Sequence, residues 1–169
     1  MKQLQELVEN PIISYEYEKA FWLKQFRDLC NRMDRDIKFR NRIMQLYRET
    51  HNELETTTLI IEKETNYVVN ATYAEIICRW IKAHFNKKSS RSGIPISVKK
   101  SLWSKQKGKC AICGCDLSNN WSQIHVDHIV PWDLVGDELE DNLQDLCEKC
   151  NEEKSASTNY IFLKLIGLK

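Results

Sequence analysis

Two pairs of cysteines, with polar residues between and beside them, are the part of the sequence whose residue types and spacing could do chemistry. Cys110 and Cys113 form one Cys-x-x-Cys pair, Cys147 and Cys150 form the other, and 33 residues separate the pairs. Each pair delivers two sulfurs from one tight turn, and four thiolates are the ligands of a closed tetrahedral zinc site. The spacing therefore predicts a structural Zn²⁺ site at these four cysteines.

The same segment carries more polarity than a zinc site requires. Asp127 and His128 are adjacent on an apolar, strand-like run, Asn142 follows 14 positions after His128, and Asn151 directly follows the last cysteine of the second pair. A histidine with its ordinary pKa of about 6.5 accepts a proton at neutral pH, and carboxylate and amide oxygens are ligands of hard cations. These residues are therefore candidates for acid–base and metal chemistry.

Each candidate also has a purely structural interpretation, which the sequence leaves open. His128 is either a proton acceptor or a hydrogen-bonded strand residue, and Asn142 is either functional or turn-forming. Asn151 is either a metal ligand or a helix N-cap. His125 precedes Asp127 by two positions and shares its strand face, where it either contacts metal or phosphate or is a surface residue.

The type, order and spacing of these elements resemble those of the HNH endonucleases, the ββα-metal nucleases. The resemblance covers about a third of the chain and rests on Cys110-x-x-Cys113, Val126-Asp127-His128-Ile129-Val130-Pro131, Asn142-Leu143-Gln144 and Leu146-Cys147-x-x-Cys150-Asn151-x-x-Lys154-Ser155. Many members have a histidine where this chain has Asn151. The chain is therefore similar to the HNN variant, in which the asparagine shifts the expected catalytic metal towards Mg²⁺, with Mn²⁺ as an alternative.

The resemblance implies an activity and a role for each residue. The expected reaction is hydrolysis of phosphodiester bonds with 5′-phosphate and 3′-hydroxyl products. The expected substrate is double-stranded DNA, and RNA is an alternative. His128 is the implied general base, Asp127 and Asn151 are the implied ligands of the catalytic cation, and Asn142 braces the loop and orients the His128 ring. One active site makes one nick, so a double-strand break requires a dimer or two visits.

A basic segment precedes the cysteine pairs. Residues 89–109 carry six lysines and arginines and no acidic residue, whereas residues 110–169 carry 4 basic and 11 acidic residues. The basic segment is either a solvated linker or a strip that contacts phosphates. The expected nucleic-acid contacts are Arg91, Lys99, Lys100, Lys105, Lys107, Lys109 and, from the last motif, Lys154.

The predicted fold class is α+β, with an N-terminal helical part followed by a ββα-metal, treble-clef-like domain that holds structural zinc. We expect a helical domain at residues 1–90 for targeting, dimerisation or partner binding, a basic connector with a short helix at 91–109, and the HNH domain at 110–169. Apolar residues at helical spacing favour a helix over Ser14–Thr50, capped at Ser14 and split near residues 34–38, and a second helix from about Tyr73 to Asn86. Residues 51–66 fit either a strand or a helix.

The remaining predicted elements are a short helix over residues 1–11, a basic helix over 97–107 ended by Gly108, a strand over 121–131, an acidic loop over 132–141, a strand leading into Cys147, and a short helix opening at Cys150. The sequence lacks an apolar run long enough for a signal peptide or a membrane span. Seven cysteines in such a chain are expected as thiols in a reducing cytoplasm. Cys30 and Cys78 are expected in the core, and Cys115 is either a spare ligand or a loop thiol.

Two other functions remain open at this point. A zinc module without catalytic activity could bind DNA or another protein, and a nuclease subunit could depend on a partner bound through the helical domain. For a free-standing nuclease of this size, the family resemblance suggests a bacterial or phage setting such as restriction or defence.

Overall fold

A computed structural model describes residues 9–117 and 121–168 of the chain. The helices are α1 (Pro11–Arg35), α2 (Ile37–Glu49), α3 (Glu53–Thr65), α4 (Ala71–Asn86), α5 (Ile96–Lys105), α6 (Trp132–Val135), α7 (Glu148–Lys154) and α8 (Tyr160–Leu165). The strands are β1 (His125–His128) and β2 (Leu143–Leu146), and they pair antiparallel. The predicted α+β class is confirmed. Most of the helix predicted over residues 1–11 lies outside the described residues.

The first long helix is split where the sequence predicted it. Asp36 is extended (φ −120°, ψ 96°), and its carboxylate accepts from the backbone N–H groups of Lys38 and Phe39, so it caps the start of α2. The cap predicted at Ser14 is wrong. Helix α1 already begins at Pro11, because the side chain of Asn10 accepts from two N–H groups of its first turn, and proline is favoured at the first helical position.

The ambiguous stretch at residues 51–66 forms helix α3. Asn52 accepts from the backbone N–H of Glu55 and caps its start. The hydroxyls of Thr57, Thr58 and Thr65 donate to the carbonyl four residues earlier. These bonds satisfy the threonine side chains inside a helix, so the β-branched composition does not force a strand.

The buried core of the helical part extends into the C-terminal part of the chain. Helices α1 to α4 contribute most of its side chains, among them Phe26, Met33, Ile61, Ile77 and Ile81. Val130, Leu134 and Val135 belong to the same apolar cluster. The residues that follow β1 are therefore packed into the helical core, and this packing turns residues 132–135 into helix α6 instead of the loop predicted there.

The rest of the C-terminal part also differs in detail from its prediction. The strand predicted over residues 121–131 is shorter, because a 3₁₀ turn at Trp121–Gln123 precedes β1. Helix α7 starts at Glu148, earlier than predicted, with Cys147 as its N-cap. Helix α8 was not predicted; Phe162 stacks edge-on with Tyr17 of α1, at 5.3 Å between ring centroids. No helix in residues 9–117 and 121–168 combines the length and apolar character needed to cross a membrane.

Polar contacts also join the helical part to the segment after β1. His84 of α4 is fully buried, and its Nδ1 lies 2.7 Å from the carbonyl oxygen of Leu134. Lys87 donates to the carbonyl of Asp133, and Arg27 of α1 pairs with the Asp133 carboxylate at 3.1 Å. The helical part therefore fixes the backbone immediately after the strand that carries His128.

We expect acid to destabilise the fold through His84. Burial is the main cause of its lowered pKa, which thus lies below the value of about 6.5 for an unfolded chain. The unfolded chain then binds the proton more strongly, so stability should fall as the pH drops below about 6.5. Melting temperatures measured from about pH 7.5 to pH 5 should fall less steeply for His84→Gln than for wild type or for exposed His51→Gln. An unchanged slope in His84→Gln would contradict this assignment.

Candidate active site and zinc cluster

Five thiols converge at the base of the two-stranded sheet. The Sγ atoms of Cys110, Cys113, Cys115 and Cys147 all lie within 4.8 Å of one another. Cys150 is buried beside them, and its pKa is raised to about 12 by burial and by contacts with neighbouring thiols. The donor set fits Zn²⁺, whose structural sites are built from four thiolates. The structure thus adds Cys115 to the four cysteines predicted from the sequence.

Backbone hydrogen bonds hold the first thiol turn in place. The N–H of Cys110 donates to the carbonyl of Cys115, and the N–H of Ala111 donates to the carbonyl of Asp145 on β2. A hydrogen bond from the Cys115 N–H is the main cause that lowers the pKa of Cys113 to about 6. A thiol with this pKa is largely ionised at neutral pH, which is the form that binds metal. The lowered pKa of Cys113 therefore favours metal binding at this turn.

The fifth thiol allows a direct test of the ligand set. We expect Cys150→Ser to lower zinc affinity more than the ~10–100-fold typical of losing a residue that only supports a ligand. Cys150 is buried in the cluster, and its loss removes one of the four predicted thiolates. Cys115→Ser should retain zinc, because the two Cys-x-x-Cys pairs already supply four thiolates. The measurement is competition with a chromophoric chelator, with Co²⁺ spectra to count sulfur ligands. The reverse order of the two variants would contradict the predicted ligand set.

Asp127 and His128 lie at the end of β1. In the antiparallel register Asp127 pairs with Gln144, and His128 pairs with Leu143. Adjacent residues of a strand point to opposite faces, so the two side chains approach the strand end from different sides. Their backbone is fixed by the sheet and by the Ile129 N–H, which donates to the carbonyl of Asn142 at 2.8 Å.

The Asp127 carboxylate is held by two side chains. The Gln144 amide donates to its Oδ2 at 3.1 Å, and the Lys154 ammonium lies 2.8 Å from the same oxygen. The Lys154 side chain is only 4% exposed, and it also donates to the carbonyl of His128. Lys154 is therefore a buried residue that contacts the backbone of β1 and the Asp127 carboxylate. The sequence predicted a phosphate contact for it instead.

A cavity of about 640 Å³ opens beside Asp127 and His128. Asn151 lines it together with both residues, and Arg91 of the connector forms part of its wall. Asn151 is the fourth residue of α7, whose N-cap is Cys147, so the N-cap interpretation of Asn151 is excluded. The structure therefore brings the three predicted catalytic-metal and base residues to one cavity. Their oxygen donors are of the type that a hard cation such as Mg²⁺ binds.

The His128 ring is buried and has a carboxylate partner. It is 8% exposed, and its Nε2 lies 3.2 Å from Oδ1 of Asp137. Burial is the largest cause that lowers the pKa of His128, and the hydrogen bond to Asp137 opposes it. The net lowering keeps the ring neutral at pH 7, which is the form that can accept a proton.

Asn142 acts on the backbone next to His128 and not on its ring. The side-chain oxygen of Asn142 accepts from the Val130 N–H at 2.7 Å, and its amide donates to the Val130 carbonyl at 3.0 Å. Both bonds are buried, so Asn142 fixes the backbone of the segment that follows β1. The contacts of Asn142 fit the bracing role expected from the resemblance, whereas the hydrogen bond to the His128 ring comes from Asp137.

The expected phosphate-contacting cations are spread over several positions. Arg91 borders the larger cavity, and Lys105 borders a second cavity of about 440 Å³ that His128 also lines. Lys99 donates to the carbonyl of Ile124, and Lys109 lies 3.8 Å from the Asp116 carboxylate. Lys100 and Lys107 are exposed. Apart from the buried Lys154, Arg91 and Lys105 are therefore the expected cations that border a cavity lined by His128, while His125 is half-buried on β1.

Sequence reasoning missed Asp137, Gln144 and Gln106. Asp137 belongs to the stretch that was predicted only as an acidic loop, and no spacing links it to His128. The Gln106 amide donates to the carbonyls of Lys109 and Asp145, and its oxygen accepts from the Asp145 N–H, so it ties the end of α5 to β2. Gln144 was quoted within a motif, and its place opposite Asp127 follows only from the strand register.

Comparison with known proteins agrees with this geometry. The model of the HNH endonuclease family matches residues 110–157, which include the thiol turns, both strands, α6 and α7. Searches of curated proteins and of solved structures found no match to the chain. The matched segment holds Asp127, His128, Asn142 and Asn151 together with the clustered thiols. Residues 110–157 of this chain therefore form an HNH endonuclease domain.

Proposed function

We propose that the protein is a metal-dependent endonuclease that hydrolyses phosphodiester bonds of double-stranded DNA. The observation that carries the proposal is the cavity of about 640 Å³ that Asp127, His128 and Asn151 line together inside the HNH endonuclease domain. A neutral histidine and two oxygen donors at one cavity are the groups that metal-assisted hydrolysis needs.

Asp127 and Asn151 are the residues that would hold the catalytic cation, for which we propose Mg²⁺, with Mn²⁺ as an alternative. Such a cation supplies Lewis-acid stabilisation of the charge that develops on the phosphate. Gln144 and Lys154 fix the Asp127 carboxylate before any cation binds. Lys154 also balances the negative charge of the partly buried Asp127 carboxylate. A buried charge without a partner would lower the stability of the fold.

His128 takes a proton from the attacking water in this mechanism. Its burial favours the neutral ring, and its position at the end of a strand limits its movement. Asn142 fixes the backbone of the following residues through two buried bonds to Val130. The proposed products are 5′-phosphate and 3′-hydroxyl ends, and one site nicks one strand per encounter.

The test is relaxation of supercoiled plasmid by the purified, zinc-loaded chain with Mg²⁺, with Mn²⁺ or with EDTA. Metal-dependent conversion to nicked circles is the expected result. Equal conversion with EDTA would point to a contaminating activity, and no conversion with either metal would contradict the proposal. Single-stranded DNA and RNA substrates, run in parallel, test the preference for double-stranded DNA.

We expect Arg91 to contribute more to DNA binding than a lysine outside the site. Its guanidinium lies over the Trp132 ring, 5.0 Å from the ring centroid, and borders the cavity with His128. Each phosphate contact releases counterions and contributes about 0.9 to the slope of log affinity against log salt. Arg91→Ala should lower that slope by about this amount in a fluorescence anisotropy titration in Ca²⁺. Lys24→Ala on the helical part should leave it unchanged, and equal slopes for the two variants would contradict the assignment.

We propose that residues 1–90 serve as a surface for targeting, dimerisation or partner binding in addition to packing against the nuclease domain. Leu46 and Leu59 are exposed and line a shallow cavity between α2 and α3. Light scattering of the purified chain tests dimerisation. A monomeric protein with full nicking activity would contradict a requirement for a dimer or a partner in single-strand cleavage.

A further inference from the structure

The carboxylate of Asp137 is held on three sides. Its Oδ2 accepts from the backbone N–H of Ser92 at 2.9 Å, and its Oδ1 accepts from the Trp132 indole N–H at 3.1 Å. The same Oδ1 lies 3.2 Å from Nε2 of His128. Burial raises the pKa of Asp137, but these hydrogen bonds outweigh it and the pKa lies below its usual value. The group is therefore an ionised carboxylate, which only accepts hydrogen bonds.

This contact defines which ring nitrogen of His128 carries the proton. Because the carboxylate only accepts, Nε2 must donate, and a neutral ring then has its lone pair on Nδ1. Within the described residues, Asp137 is the only side chain or backbone group that hydrogen-bonds the His128 ring. The other charged groups that act on the ring are Arg91 and Asp127, while Lys154 contacts only the His128 backbone carbonyl.

Asp137 is not the only residue that anchors its loop. Its side chain is 30% exposed and contributes nothing to the apolar core. The loop is anchored on both sides by other residues, since Gly136 adopts φ +62° in close contact with Lys87 and Leu139 packs against the helical core. The three hydrogen bonds of Asp137 link the connector and Trp132 to the His128 ring.

We propose that Asp137 is a positioning residue for the nuclease reaction, which holds His128 with its proton on Nε2 and so leaves Nδ1 to accept the proton of the attacking water. The inference rests on the proposed function, since it assigns the orientation of the same base. A carboxylate that fixes the tautomer of a catalytic histidine serves the same purpose in other hydrolytic sites, where its removal lowers turnover because the wrong nitrogen carries the proton.

The same carboxylate also connects the base to the basic segment. Ser92 donates to one oxygen of Asp137, and its neighbour Arg91 stacks on Trp132, which donates to the other oxygen. The Asp137 carboxylate therefore hydrogen-bonds both the connector, at Ser92, and the proposed base, His128. A phosphate bound by Arg91 would lie at a fixed place relative to the His128 ring, which is the geometric condition for in-line attack.

The first experiment measures the tautomer directly and does not depend on cleavage. The zinc-loaded full chain, labelled with ¹⁵N-histidine, is studied by NMR at about pH 8, where imidazole is neutral, and His128→Gln identifies the His128 signals. We expect a protonated Nε2 and an unprotonated Nδ1 in wild type, and a mixture of the two tautomers in Asp137→Ala. A proton on Nδ1 in wild type, or an unchanged tautomer in Asp137→Ala, would overturn the inference.

The second experiment measures single-nick kinetics. Asp137→Ala should lower kcat by about 10–100-fold, the range found when a residue that orients a metal-ligating histidine is removed, while KM changes little. Asp137→Asn, whose amide can donate as well as accept, no longer enforces the proton on Nε2 and should lower kcat as well. Glu140→Gln is the matched control, because it removes a charge from the same exposed loop, and it should retain wild-type kcat.

The outcomes separate the two proposals. Wild-type kcat in Asp137→Ala would overturn the positioning role even if the protein is a nuclease. If wild type does not cleave under any condition, the proposed function fails, and the tautomer measurement still decides whether Asp137 orients His128. Circular dichroism and zinc content of each variant establish that it is folded.

Discussion

Replacement of His128 by alanine is expected to abolish metal-dependent nicking while leaving the protein folded and zinc-loaded. General-base catalysis by a positioned side chain contributes about 10²–10⁴-fold to rate, and loss of the base should lower the single-turnover rate by this factor. The ring is 8% exposed and contacts a carboxylate beside the cavity that Asp127 and Asn151 line. The variant should therefore lose the chemical step and retain DNA binding, measured by anisotropy on the same preparation.

The matched control for this experiment is His51→Ala. His51 is exposed in the turn before α3, so its loss removes an imidazole without touching the cavity. Wild-type nicking by His51→Ala and a large loss in His128→Ala would assign the base. If His128→Ala nicks as fast as wild type with Mg²⁺, another group deprotonates the water, and the assignment of His128 as base fails.

The helical part shows which elements a sequence pattern predicts well. The helices from Pro11 to Glu49 and from Ala71 to Asn86 follow from apolar residues at three- and four-residue spacing, and the break at Asp36 was predicted within a few residues. Helix α3 was ambiguous because its threonines favour strands on propensity alone. Their hydroxyls bond backbone carbonyls within the helix, and composition does not reveal such bonds.

The candidate site shows a different limit. The motifs around Asp127, His128, Asn142 and Asn151 were visible because they are short and their order is fixed in the chain. Asp137 was not, because its contact with His128 depends on how helix α6 and Gly136 turn the loop back towards the strand. That turn follows from burial of Leu134 and Val135 in the helical core. Long-range packing thus sets the partner of the base, and a local motif carries no information about it.

Zinc removal is expected to unfold the C-terminal unit while the helices α1 to α4 keep their structure. The apolar cluster around the thiols is small, with Leu117, Ile124 and Leu146 as its buried residues other than cysteine. So few side chains supply little hydrophobic stabilisation, and small domains of this kind depend on a metal. At free zinc about a thousandfold above its Kd, the ion should contribute about 4 kcal/mol to the stability of this unit.

Hydrogen exchange read by mass spectrometry locates the effect. After treatment with a zinc-selective chelator, amides of residues 109–117 and 143–154 should lose protection, because strand β2 ends and helix α7 begins at the second cysteine turn. Amides of α1 and α4 should retain protection, since Phe26, Met33, Ile77 and Ile81 are buried in the helical core, which is distinct from the apolar cluster around the thiols. Added zinc, and not magnesium, should restore the protection. Full protection of residues 143–146 in the chelated protein would contradict a structural role for zinc.

Because the carbonyl of Asn142 fixes the backbone next to His128, loss of β2 should also release the proposed base. Nicking and amide protection should therefore disappear together as zinc is removed.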